Sequence, residues 1–210
     1  MPDLATIASL GTAVGTLVLG AATFSSVRSA NRSARIAERS FLVGVRPLLV
    51  QTRFEDRDEK VMFNDEHWLK VAGGRAVVEE ADGVIYLAMA VRNVGNGIAV
   101  LHGWTIEPER VTGAEYTPDL DSFRRLSRDL YIPDGDQGFW QGAIRDADDP
   151  FRRPIHEAVV ERRAMSLLLL YGDHEGGQRT VTLFGIVPDE RDQWLVSVAR
   201  HWYIDGDDPR

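Results

Sequence analysis

The chain of 210 residues carries 24 basic and 32 acidic side chains, is 44% hydrophobic and has no cysteine. That balance supports one folded domain plus a short extra segment, and it excludes disulfides, iron-sulfur clusters, thiolate zinc sites and cysteine nucleophiles. From Phe41 onward lie 20 of the 24 basic and 30 of the 32 acidic residues, a surplus of negative charge that a phosphate backbone would repel, so no nucleic-acid partner is expected.

No charged residue occurs between Leu4 and Val27. At a rise of about 1.5 Å per residue, about 20 helical residues cross a hydrocarbon layer of roughly 30 Å. This reading predicts an N-terminal tail and transmembrane helix over 1–27. Arg28, Arg32, Arg35 and Arg39 follow at steps of four, three and four, which places them on one face of a continuing helix over 28–40. Such a basic juxtamembrane helix either lies against lipid headgroups or is a plain solvated flank. By the positive-inside bias, the chain is then a single-pass protein of the cell membrane, with its N-terminus outside and its C-terminal domain cytoplasmic. The lipid bilayer is one expected partner. Gly11 and Gly15 have the spacing that lets two such helices approach closely, so self-association through this face is a second.

After Phe41 the spacing changes to short β-branched runs broken by Gly, Pro, Asn and Asp, the mark of strands and turns. Strands are predicted near Val45–Phe54, Trp68–Val71, Ala76–Glu80, Ile85–Arg92, Ile98–Ile106, Gly138–Ile144, Met165–Tyr171, Thr180–Ile186 and Trp194–Tyr203. The stretch Arg92-Asn93-Val94-Gly95-Asn96-Gly97 suits positive φ, so that the chain reverses as a hairpin or bulges between two strands, and Gly172-Asp173-His174-Glu175-Gly176-Gly177 reads as a hairpin loop. Leu120, Phe123 and Leu126 predict a short helix over Asp119–Asp129, and Ile155, Val159 and Val160 predict another over Pro154–Arg163. The expected fold class is mainly β, an immunoglobulin-like antiparallel β-sandwich over 41–210, with an open barrel as the alternative.

The runs Tyr86–Ala99, Leu170–Asp173 and Arg179–Thr182 resemble a pattern found in uncharacterised bacterial membrane-anchored β-sandwich proteins. Those proteins have no assigned activity. The resemblance therefore implies a fold and an anchor, and it implies no catalytic residues.

The residues themselves are sparing with chemistry. His67, His102, His156, His174 and His201 are too scattered for a local metal motif. His174, flanked by Asp173 and Glu175 on an expected hairpin tip, is the foremost reactive position, and a solvated polar turn explains these three residues as well. The aspartates at 134 and 136, at 146, 148 and 149, and at 205, 207 and 208 do not complete a calcium-loop signature. No serine sits in a nucleophile elbow. No cofactor, metal ligand or catalytic residue is assigned. The leading expectation is a membrane-tethered interaction or sensor module whose β domain binds a protein or a small ligand. A metal-dependent hydrolase using loop carboxylates and His174, and an extracytoplasmic envelope or adhesion module, stand as alternatives.

Overall fold

The computed structural model describes residues 3–111 and 116–206, with side-chain surroundings inside the first helix from residue 15 onward. The chain forms two units, Met1–Val43 and Gly44–Arg210. The first is α1 (Leu4–Gly44), one uninterrupted helix of 41 residues. Its sequence has no proline and is rich in Ala, Leu and Arg, which favour helix.

Among the described residues no helix is long and apolar enough to cross a membrane. This overturns the transmembrane helix expected over 1–27, and with it the single-pass placement with an outside N-terminus and a cytoplasmic domain. The physical reason is dilution. Ala, Gly, Ser and Thr interleave the Leu, Ile and Val of the uncharged stretch, and the same helix runs on through Arg28, Arg32, Arg35 and Arg39. Arg28, Arg32 and Arg35 share their helix face with Phe24, Val27 and Asn31. Gly11 lies outside the residues with described surroundings, and a Cβ on Gly15 would meet nothing within 4 Å.

The second unit is mainly β. Its elements are β1 (Leu49–Gln51), β2 (Glu59–Met62), β3 (Trp68–Val71), β4 (Arg75–Ala81), β5 (Val84–Asn93), β6 (Ala99–Glu107), β7 (Arg124–Ile132), β8 (Gln137–Ile144), α2 (Arg152–Val160), β9 (Met165–Asp173), β10 (Arg179–Pro188) and β11 (Trp194–Tyr203). Nine strands make one antiparallel sheet in the order β1-β5-β4-β11-β10-β9-β6-β7, with β8 also paired to β5, and β2 and β3 form a separate hairpin. Where two sheets were expected, the main strands share a single hydrogen-bonded order. Its outermost strands, β7 and β8, are consecutive in the chain, yet β7 pairs with β6 and β8 with β5. The sheet therefore curls until its two ends meet at a seam that no ladder closes.

Both faces of this sheet are covered, which accounts for the unbroken apolar runs. Ile85, Leu87, Met89 and Val91 of β5 join Trp104, Trp140, Leu167, Leu169 and Phe184 in the main core, to which α2 adds Ile155 and Ala158. The alternate residues Tyr86, Ala88 and Ala90 pack against Val61, Phe63, Leu69 and Val71 of the β2–β3 hairpin. Leu168, Val181, Leu183 and Trp202 form a third cluster under Tyr116, Leu120 and Phe123.

Two local expectations are corrected. The helix expected over Asp119–Asp129 is a single 3-10 turn at Leu120–Ser122 followed by β7. Along β7, Arg124, Leu126, Arg128 and Leu130 are half-buried between exposed neighbours, a strict period of two. Arginines on the inner face disguised that period. The segment 93–97 is not a hairpin turn either, since β5 and β6 do not pair, and neither Gly95 nor Gly97 has positive φ. A Cβ on Gly95 would sit 2.3 Å from the Arg46 carbonyl oxygen, and one on Gly97 1.8 Å from that of Val45. These glycines are needed because residues 45–48 run directly over them.

Asn93 organises that crossing. Its buried side-chain amide donates to the carbonyls of Gly97 at 2.6 Å and Ile132 at 3.1 Å. Its carbonyl accepts from the backbone N–H groups of Leu48 at 3.1 Å and Gly95 at 3.0 Å. Replacing Asn93 by alanine strands all four partners, each with a desolvation penalty of about 1–3 kcal/mol. Asn93→Ala is expected to destabilise the domain by roughly 3 kcal/mol or more, read from denaturant unfolding.

The β2–β3 hairpin is held to the sheet by a polar contact with a pH signature. Tyr86 donates its hydroxyl to Asp65 at 2.7 Å, and Arg145 donates to the same oxygen at 2.9 Å. Burial alone would raise the Asp65 pKa, but the Tyr86 and Arg145 hydrogen bonds outweigh it and lower the carboxyl to about 2. Because the folded value is depressed, the contribution is present above the ordinary 3.8 and is lost as pH falls toward 2. The denaturant midpoint should drop across that window, and the drop should be smaller in Asp65→Asn.

Candidate functional site

The β domain has a cleft of about 320 Å³ where β4 parts from β11. Local sequence causes the parting. The turn Ala72-Gly73-Gly74-Arg75 reverses the chain, with Gly74 at φ 68° and the Arg75 N–H donating to the Ala72 carbonyl. β4 then pairs with β11 only through Trp194↔Ala76 and Leu195↔Arg75 before following β5 along its whole length. The gap left between β4 and β11 is roofed by the end of α2.

The cleft has an apolar floor of Ala76, Val78, Val159 and Trp194, and a polar rim of Lys70, Arg75, Arg162, Asp192 and Gln193. The three cations are not equivalent. Lys70 pairs with Asp58 at 2.6 Å. Arg162 pairs with Asp192, donates to the carbonyls of Asp189 and Gln193, and stacks over Trp194 with its guanidinium carbon 5.1 Å from the ring centre. Among the described residues Arg75 has neutral partners only: it donates to Gln193 Oε1 at 2.8 Å and to the Gly73 carbonyl at 3.5 Å, and lies over the Phe54 ring. One guanidinium at the rim is thus oriented and, among the described residues, is paired with no carboxylate. A cleft of this size and lining suits a small ligand that places an anionic group on Arg75 and an apolar body on Trp194 and Val78.

The residues singled out in the sequence lie elsewhere. Asp173 is buried in the β9–β10 hairpin, where it accepts from the Gly177 N–H at 3.0 Å and from Gln178 Nε2 at 3.4 Å. It is a turn-former, and the hairpin reading of this loop is the one the ladder bears out. His174 and Glu175 are exposed at its tip, 3.2 Å apart. Among the described residues no three His, Asp or Glu side chains group as a metal site requires. Asp146 and Asp149 serve turns, Asp205 binds Arg179, and Asp207 and Asp208 lie outside the described residues. Arg75 and Trp194 were not singled out as site residues, because an arginine beside two glycines and a tryptophan opening a strand carry no local mark of a shared cleft.

No family model matches the chain, and no curated protein matches it. The site therefore rests on its own geometry. That geometry separates structural from exposed loop residues: Asp173→Ala should cost about 1–3 kcal/mol by stranding its hydrogen-bond donors. His174→Ala should stay within about 0.5 kcal/mol of wild type in the same unfolding measurement.

Proposed function

We propose that the β domain is a non-catalytic binding module for a small ligand with one anionic group and an apolar body, taken up between β4 and β11. The observation that carries this reading is Arg75, a guanidinium held by neutral acceptors at the mouth of an apolar-floored cleft. The cleft volume of about 320 Å³ falls at the lower end of the range of about 300–1,000 Å³ typical of small-molecule sites. An anion on Arg75 gains a charge-assisted hydrogen bond without first displacing a carboxylate. Trp194 and Val78 supply the surface on which the rest of the ligand loses contact with water.

A thermal-shift screen of the full chain with small aromatic and branched aliphatic carboxylates and phosphates tests this. Members of the panel should raise the melting temperature. Arg75→Gln, which keeps a hydrogen-bonding side chain and removes the charge, should weaken the best of them about tenfold or more. The reading fails if no anion of the panel shifts the transition, or if the shift is unchanged in Arg75→Gln.

A further inference from the structure

The geometry points to a second, separate anion site at the open seam between β7 and β8, sized for a tetrahedral oxyanion such as phosphate, sulfate or a terminal phosphoryl group. It does not depend on the cleft at Arg75. The seam holds a cavity of about 120 Å³ lined by Arg124, Arg125 and Arg145 together with Ser127, Gln141 and Asn64, with Arg125 and Ser127 at exposed positions of β7. That volume suits a phosphate-sized group and is well below the roughly 300 Å³ at which drug-sized pockets begin.

Charge explains why an anion belongs there. Arg124 is held in two parallel hydrogen bonds by Asp149, the second at 2.7 Å from Nη2 to Oδ1, and its guanidinium lies over the Trp104 and Phe151 rings. The Arg124 hydrogen bonds hold the Asp149 carboxyl below its ordinary pKa, so this pair stays ionised. Arg145 is likewise committed to Asp65. Arg125 lines the same cavity, and no carboxylate is paired with it among the described residues. Three guanidiniums therefore share two carboxylates, and the excess positive charge borders the cavity in a domain whose overall balance is acidic. An oxyanion in the cavity accepts from Arg125 and reaches Ser127 and Asn64, which are among the uncharged polar residues of the lining.

The structure also explains why the cavity stays open. β7 and β8 do not pair, so the seam is spanned by side chains, with Arg128 Nη2 donating to Gln141 Oε1 at 2.9 Å. Gly142 admits no side chain, since a Cβ there would meet Trp140 at 2.7 Å and Trp104 at 2.8 Å. The opening is thus a consequence of how the sheet ends meet.

The test titrates the full chain with inorganic phosphate, and in a parallel arm with phenyl phosphate, against sodium chloride at matched ionic strength. Heat and melting temperature are both recorded. Phosphate should bind with saturating one-to-one stoichiometry at this site, and Arg125→Gln or Ser127→Glu should weaken it about tenfold or more. Arg75→Gln should leave that response intact, which separates the seam from the cleft. Equal binding of phenyl phosphate identifies the terminal phosphoryl of a larger molecule as the ligand, and its exclusion identifies the free oxyanion. Indistinguishable responses to phosphate and chloride, or wild-type phosphate binding in both Arg125→Gln and Ser127→Glu, overturn the inference.

Discussion

The fold of the β domain depends on the satisfaction of one buried amide. Asn93 spends both donors and its acceptor on the start of β1, the 95–97 crossing and the end of β7. Its own backbone adds two more ties, with its N–H donating to the Asp136 carbonyl and its carbonyl accepting from Gly135. Segments far apart in the chain thus meet around a residue with no exposed surface. A half-satisfied amide in such a place is worse than an apolar side chain, so the arrangement is all or nothing. The turn joining β7 to β8 is positioned by it, and so is the seam between those strands.

A sheet that curls without closing has two kinds of weak place, and both candidate sites occupy one. Between β4 and β11 the ladder is short, so backbone pairing gives way to a cleft floored by Trp194 and Val78. Between β7 and β8 no ladder forms, and arginines and a glutamine bridge the gap. Where backbone groups cease to pair, side chains and ligands take over as partners. Elsewhere the β2–β3 hairpin packs on β5, and the 116–123 segment packs on β9 and β10.

The local charge at these places runs against the acidic total. A net charge describes solubility and long-range repulsion, whereas a single site answers to the few groups within hydrogen-bond reach. Among the described residues Arg75 and Arg125 are cations without paired carboxylates beside these openings, while the surface arginines Arg153 and Arg163 are matched by Glu157 and Glu161.

The sequence by itself determined the strands at 68–71, 76–80, 85–92, 138–144, 165–171, 180–186 and 194–203, because a period of two and a run of β-branched residues are properties of a strand wherever it sits. It also determined the β9–β10 hairpin, since Asp173 and Gly176 encode that turn within a few residues. It did not determine β7, whose inward positions include Arg124 and Arg128; only Asp149 and Gln141, brought by tertiary folding, make arginine acceptable there. It did not reveal that Gly95 and Gly97 serve close packing under residues 45–48, nor that Asn93 is an interior anchor. The uncharged start of α1 read as a span because charge is conspicuous in sequence, whereas insufficient hydropathy accumulates over many small residues. Strand pairing, the cleft and the seam were decided by the tertiary structure alone, for they arise where distant segments meet and no local period records the meeting.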